Sequence, residues 1–381
     1  MLFASSMRTG AVIALVFLTT LAHAAVPVQP PPAIDTRAHI LMDFQTGKVL
    51  AESNADAPME PASITKLMTA YAAFKALEEG RLKLTDPVTI SEHAWRSEGS
   101  RSFVQVGTQV PLEVLLKGMI VQSGNDATIA VAERVGGTEQ AFAGIMNSYA
   151  KQLGMKNSNF ENSSGLPGPQ HRMSARDIAV LARAMIAEFP EYYRWYSLRE
   201  FEWNGIKQQN RNGLLGRDPS VDGIKTGHTE SAGYCLATSA ERNGMRLISV
   251  VLGTASMKAR EDASAALLNY GYTFYETVAL KKKGEVLLSP RVYKGEVEMI
   301  PAVVARDVWA TVPRGSAAAL VTTTSVDEPL IAPLAADQTI GQVTIKDDAS
   351  LVTSVPLVPQ KAVAEGGWWS QLTDTVALWM R

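Results

Sequence analysis

The chain has 381 residues, of which 46% are hydrophobic and 19% charged, with a formal net charge of −2. That fits one large or two unequal domains with a sizeable core, and it excludes a large basic footprint for nucleic acid. A single cysteine, Cys235, and five scattered histidines exclude a disulfide framework, Cys-rich zinc sites, CxxC redox chemistry and an HExxH motif, so neither a metal nor another cofactor is expected.

Arg8, the apolar run AVIALVFL and then Ala22-His23-Ala24 predict an export signal over residues 1–24. The run is too short to span a bilayer, which takes about 20 apolar residues, and no cysteine follows it to carry a lipid. Residues 25–35 are a proline-rich linker. HILMDF and KVLAES, flanking Gln45-Thr46-Gly47, predict a strand pair. Residues 61–79 predict a helix with Leu67, Ala70, Tyr71, Phe74 and Leu77 on one face and Gly80 as its stop. Helices over 112–120 and 125–135 follow, separated by Gln122-Ser123-Gly124, then one over 139–153. Ser174-Ala175-Arg176-Asp177 resembles a capping box opening a helix over 175–187, with Asp177 read as helix capping. From Gly223 the pattern turns to β: GIKTG, GYCLATSAE and MRLISVVLGT, with Asn243-Gly244 as a hairpin turn. Cys235 reads as a small buried apolar residue and His171 as a loop histidine. A helix over 259–272 should pack back on that sheet.

After Val278 come short Val-rich runs separated by turn signals, which predict a small β-sandwich over residues 279–360. Gly366-Gly367 then breaks the chain. Over residues 367–381, Trp368 or Trp369, Leu372, Val376 and Trp379 or Met380 fall on one helical face. Three Trp in a terminal amphipathic helix predict a helix lying in a membrane interface, although Arg381 is the only basic residue in the stretch.

Three short motifs occur in order: Ser63-Ile64-Thr65-Lys66 (SxxK), Ser123-Gly124-Asn125 (SxN) and Lys225-Thr226-Gly227 (KTG). SxxK alone is cheap; it recurs at Ser148–Lys151, mid-helix, as solvated surface. The ordered set is specific because each member falls in the element its chemistry needs, and it is the trio of penicillin-binding proteins and class A β-lactamases. A serine hydroxyl needs a base within hydrogen-bond reach, and Ser63 and Lys66, at i and i+3, project from one face. Lys66 serves as base only if burial, the helix dipole and the second cation, Lys225, lower its pKa. Ser123 can relay a proton to the leaving amine. Asn125 can bind a substrate amide through both donor and acceptor, and Lys225 with Thr226 can hold a carboxylate. If the KTG strand is an edge it can align an extended peptide, with Gly227 permitting close approach. The N–H groups of Ser63 and His228 would form the oxyanion hole.

PASITKLMTAY, VQSGNDA, the Met146–Met155 run, SARD, GIKTGHT-x-x-AGY and RLISVVLGT resemble the type-5 low-molecular-mass penicillin-binding proteins, serine D-alanyl-D-alanine carboxypeptidases. The resemblance is close over residues 36–278 and looser beyond. It implies an α/β penicillin-recognition domain over 36–278, of the β-lactamase/transpeptidase kind, whose antiparallel sheet is flanked by helices, followed by the small β-sandwich. It implies that Ser63 is acylated, with Lys66 as base and Ser123, Asn125 and Lys225 completing the core. Thr226 and His228 line the substrate strand, and Arg260, in Lys258-Ala259-Arg260-Glu261, helps hold the terminal carboxylate or is a solvated residue at a helix start. The implied partners are D-Ala-D-Ala stem peptides, β-lactams as covalent inhibitors and the membrane surface, at the periplasmic face of the cytoplasmic membrane.

Three other functions compete. A class A-type β-lactamase needs a glutamate in an E-x-x-L-N signature past SxN; here NFENSSGLPG follows, and Glu161 lacks the Leu-Asn. A D,D-endopeptidase would use identical residues in a more open cleft. An idle penicillin-binding scaffold would recruit partners through its C-terminal β domain.

Overall fold

The computed structural model describes residues 27–347 and 350–380. The expected export signal and Arg381 lie outside the described residues.

A five-stranded antiparallel sheet organises the first two thirds of the chain, in the order Val49–Ser53, Ala38–Asp43, Met245–Thr254, Gly233–Arg242, Val221–Thr229. Successive residues of a strand point to opposite faces. Accordingly Ile40, Ala237 and Val250 join one apolar core, and Leu41, Leu236 and Val251 join another. Both faces are covered, so the middle strands carry near-continuous apolar runs. Helices Lys66–Glu78, Leu112–Val121, Asn125–Gly136 and Ala175–Glu188 supply the first core, while Met257–Phe274 covers the other face through Leu267 and Leu268.

The expected antiparallel sheet with helices on both faces is therefore present, and the Asn243-Gly244 hairpin turn forms with φ of +51° and +79°. The single helix expected over 61–79 is instead two pieces: a 3-10 turn, Ala62–Thr65, and the α-helix Lys66–Glu78. Ala62 takes a φ of +48°, which redirects the chain just before Ser63. Ser174 caps its helix through a hydrogen bond from the Asp177 N–H at 3.1 Å, but no reciprocal box forms. The Asp177 carboxylate accepts instead from the Asn157 N–H and the Ser158 hydroxyl, pinning the preceding turn.

Beyond the helix Met257–Phe274, a second antiparallel sheet runs Val286–Leu288, Ala302–Val304, Ser350–Pro359, Gly341–Asp347, Leu320–Val326 around its own core of Val292, Ile300, Val343, Ile345 and Leu357. The strand Tyr275–Lys281 pairs with Val308–Pro313 to join the two parts. Buried Asp43 tightens that joint: its carboxylate accepts from Thr46 and, at 2.7 Å, from the Thr277 hydroxyl, and Lys48 donates to the Thr311 carbonyl at 3.0 Å.

The terminal helix forms over Trp368–Trp379. Trp368, Trp369, Leu372, Val376 and Trp379 face water, Trp379 at 89% exposure. Its polar side is held by the protein: Asp374 accepts from Arg291 at 3.1 Å and from the Lys294 N–H at 2.5 Å, and Ser370 donates to the Gly295 carbonyl. No helix among the described residues is long and apolar enough to cross a membrane.

Candidate active site

The KTG strand Val221–Thr229 is an edge of the sheet. Its inner side pairs with Gly233–Arg242, placing Gly227 opposite Cys235. At Gly227 one face of the strand lies against the turn that carries Ser63. A Cβ on Gly227 would stand 2.7 Å from the Pro61 carbonyl oxygen and 3.2 Å from the Ala62 Cβ. Glycine is thus required for the protein's own strand and turn to meet, a different reason from the close substrate approach expected of it.

A cleft of about 660 Å³ opens between these elements, lined by Ser63, Ser123, Thr226, Gly227, His228 and Arg260, with Arg211, Tyr234 and Met257 at its wall. Lys66 lies beneath Ser63, 1% exposed, and donates to the Ser63 Oγ at 2.9 Å and to the Ser164 carbonyl at 2.7 Å. Burial pushes Lys66 down to about 7, Arg211 adds to the effect, and Glu139 and Asp126 oppose it. Lys225, also buried, is pushed well below its usual range, by burial first and then by the charges of Lys66, Arg211 and Arg260. The cation that acts on Lys66 is therefore Arg211 rather than the expected Lys225. Burial drives Lys225 itself toward neutrality, whereas a guanidinium keeps its charge.

Ser123 sits at the break between the two helices with a φ of +65°, and its hydroxyl is buried without a hydrogen-bond partner among the described residues. Asn125 follows at the start of the next helix. Its Nδ2 donates to the Glu98 carbonyl at 2.6 Å, while its Oδ1 is buried and unpaired. The amide thus offers a free acceptor, but one of its donors is already committed. Buried Asp126 fixes the facing loop by accepting from the Ser102 N–H at 2.7 Å and the Val104 N–H at 3.3 Å. Gly124 makes that packing possible, since a Cβ there would fall 2.1 Å from the Ser102 Oγ.

Arg260 is 3% exposed and reaches under the KTG strand, donating to the carbonyls of Gly227 and Arg211, each at 3.3 Å; its Nε has no partner. The reading of a solvated arginine at a helix start is thereby corrected: Arg260 does lie in the first turn of its helix, but that turn faces the cleft. His228 stacks on Tyr234, with ring centroids 4.0 Å apart.

His171 is not an ordinary loop histidine. Its Nδ1 accepts from the Glu161 N–H at 3.1 Å, so the proton rests on Nε2 and is donated to the Thr65 hydroxyl at 2.8 Å, beneath the Ser63 turn. Burial lowers its pKa to about 4, which keeps the ring neutral. Glu161 turns its carboxylate back into its own loop, accepting from the Gln170 N–H. No carboxylate lines the cleft among the described residues. Cys235 is buried beneath the sheet edge, as expected. Ser148, in the second SxxK, lies exposed on the helix Glu139–Gln152.

Arg211 falls in none of the motifs, and Tyr234, although it closes the GIKTGHT-x-x-AGY stretch, carries no site role in the sequence reading. Arg211 sits in an irregular loop, and Tyr234 is one aromatic in a strand where aromatics are commonplace.

Residues 24–256 match the family described as D-alanyl-D-alanine carboxypeptidase, and residues 275–365 match the C-terminal domain of penicillin-binding protein 5. D-alanyl-D-alanine carboxypeptidase DacA of Escherichia coli is 41% identical over 355 residues, covering 91% of this chain and 88% of the relative. Penicillin-binding protein 5 from Haemophilus influenzae superposes with a TM-score of 0.84 at 40% identity, covering 88% of this chain and 100% of that one. Penicillin-binding protein D2 from Listeria monocytogenes, in its ampicillin-bound form, superposes with a TM-score of 0.60 at 30% identity, covering 64% and 100%.

Proposed function

This chain belongs to the type-5 low-molecular-mass penicillin-binding proteins, the serine D-alanyl-D-alanine carboxypeptidases, and on that premise we propose that it removes the terminal D-Ala from peptidoglycan stem pentapeptides through an acyl-enzyme on Ser63. The observation that carries the reading is Lys66, buried, lowered to about 7 and 2.9 Å from the Ser63 Oγ. Near neutral pH a large fraction of such a lysine is uncharged and can take a proton, which an ordinary lysine near 10.4 cannot.

Neutral Lys66 accepts the Ser63 proton as Oγ attacks the carbonyl of the penultimate D-Ala. The N–H groups of Ser63 and His228 hold the developing oxyanion. The proton then passes, directly or through Ser123, to the departing amine, and free D-Ala leaves. Water repeats the sequence on the ester, giving its proton to Lys66 and returning Ser63 to its resting state. The extended peptide pairs with the Val221–Thr229 edge strand, and its amide N–H donates to the free Asn125 Oδ1. Lys225, Thr226 and Arg260 hold the terminal carboxylate, whose charge restores the proton to Lys225 by favouring the ammonium form. β-Lactams acylate the same serine and leave slowly, because the ring-opened leaving group stays tethered beside the ester and no carboxylate among the described cleft residues is placed to drive water past it.

Residues 36–278 form the catalytic domain and 279–360 the β-rich C-terminal domain, joined where Thr46 and Lys48 meet Thr311. Residues 1–24 direct export, and the terminal helix holds the protein on the periplasmic face of the cytoplasmic membrane. The exposed apolar face of that helix, with its polar side already engaged, supports this placement.

Labelling by a fluorescent penicillin tests the serine. Ser63→Ala should abolish covalent labelling and Ser148→Ala should leave it intact; label surviving Ser63→Ala contradicts the assignment.

A further inference from the structure

Lys66 is steered by a backbone carbonyl, and the support of that carbonyl lies outside the cleft. The Ser164 oxygen that accepts from Lys66 belongs to the segment Asn162–Gly165, which folds over the Ser63 turn so closely that a Cβ on Gly165, at a φ of +87°, would overlap the Ala62 carbonyl. One carboxylate grips this segment. Glu139 Oε1 accepts both the Ser163 N–H at 2.9 Å and the Ser163 hydroxyl at 2.6 Å, and Glu139 Oε2 meets His93 Nε2 at 3.0 Å. Thr69 adds a bond to the Ser163 carbonyl at 2.6 Å, from the same helix that carries Lys66. Ser163 is therefore held from both sides, by Glu139 through its N–H and hydroxyl and by Thr69 through its carbonyl.

We propose that Glu139 is a positioning residue for Lys66: through its paired bonds to Ser163 it fixes the Ser164 carbonyl that aims the lysine at Ser63. The charge of Glu139 has a second effect. Burial works against that charge, but the Ser163 and His93 contacts outweigh it and hold the carboxyl below its usual range. The anion so maintained opposes the fall in the Lys66 pKa. The charged groups bearing on Lys66 are then Arg211 on the positive side and Glu139 and Asp126 on the negative, while Lys225, driven toward neutrality by burial, is itself lowered by Lys66. The proposal rests on the reading of Lys66 as base for Ser63.

Its test measures penicillin acylation against pH for the wild type, Glu139→Gln and Glu139→Ala, with kcat and KM on a D-Ala-D-Ala peptide and thermal unfolding alongside. Glu139→Ala frees the segment, so the acylation plateau should fall roughly 10- to 100-fold, in kcat rather than KM, as expected for a misaimed reacting group. Glu139→Gln keeps an acceptor for Ser163 and should recover most of the plateau. Its acid limb should nevertheless move to lower pH, because Lys66 has lost a negative neighbour. A well-folded Glu139→Ala with wild-type plateau and acid limb overturns the proposal. If that variant does not fold, Glu139→Asp decides: it keeps the charge but is one methylene too short to hold Ser163, and a wild-type acylation plateau with it overturns the proposal. Lys66→Arg, run in parallel, separates this idea from the reading beneath it. If Lys66→Arg keeps wild-type acylation, both fall; if it is dead while Glu139→Ala is normal, only the role of Glu139 falls.

Discussion

Around Ser63 the protein buries two lysines and an arginine; at its C-terminal end it leaves Trp368, Trp369, Leu372, Val376 and Trp379 in water. Both arrangements oppose ordinary solvation, one by desolvating charge and the other by exposing apolar surface. They are held in place very differently. Lys66 is fixed by the Ser164 carbonyl and the Ser63 hydroxyl, with the walls of the cleft pinned by Asp126, Glu139 and His171. The terminal helix is tied mainly through Asp374 and Ser370, and its apolar side is left exposed by the described residues. A site that must shift a pKa has to be enclosed and over-determined, whereas the surface proposed to meet the membrane has only to be displayed.

The largest expected effect breaks the enclosed side. Lys66→Arg keeps the positive charge, but a guanidinium stays protonated to above about pH 12 and cannot act as base. The acylation rate should fall by roughly a thousandfold or more, several kcal/mol of barrier. The wild type carries the matching pH signature. Its acylation rate should climb with pH as Lys66 deprotonates through about 7 and then level off, a limb that Lys66→Arg lacks. Substantial acylation retained by Lys66→Arg would make the lysine a mere electrostatic prop.

Arg260→Ala sharpens the assignment of the carboxylate end. Loss of a hydrogen-bonded charge partner is worth about 1.5–3 kcal/mol, so KM for a peptide with a free terminal carboxylate should rise about 10- to 100-fold. A terminal-amide analogue should be affected far less by the same substitution. Equal losses on both substrates would assign Arg260 to holding the Gly227 and Arg211 carbonyls alone.

The displayed side is tested by deleting residues 367–381. The truncated protein should leave liposomes and keep its activity on soluble peptide. The exposed face can bury roughly a few hundred Å², worth several kcal/mol at about 25 cal/mol per Å². Asp374 is already paired with Arg291, so attraction to anionic lipid adds little and binding should resist salt. Flotation at low and high ionic strength reads both halves; an intact protein that washes off with salt would replace the apolar account with an electrostatic one.

What could be read from sequence follows the same division. The terminal helix was legible because its apolar face has a period, and the sheet because NG turns and apolar runs mark strands directly. The three motifs were legible because serine, lysine and asparagine carry their chemistry in their side chains. The groups that tune them were not. The Ser164 carbonyl has no side-chain signature at all, and Glu139, His171 and Arg211 reach the Ser63–Lys66 neighbourhood only through long-range folding. The positive φ of Ala62 and Ser123 is likewise imposed by tertiary packing on residues that do not prefer it. One miss was avoidable: Asn204-Gly205 between FEW and IKQ carries the same turn signal as Asn243-Gly244, and it does close a hairpin, Glu200–Trp203 with Ile206–Gln209.

The most direct test of the central claim is mass spectrometry of the products from a purified pentapeptide ending in D-Ala-D-Ala, incubated with the wild type and with Ser63→Ala. The account predicts conversion to the tetrapeptide with release of one D-Ala by the wild type, and unchanged pentapeptide with Ser63→Ala. Pentapeptide left intact by a wild type that penicillin still labels would contradict it.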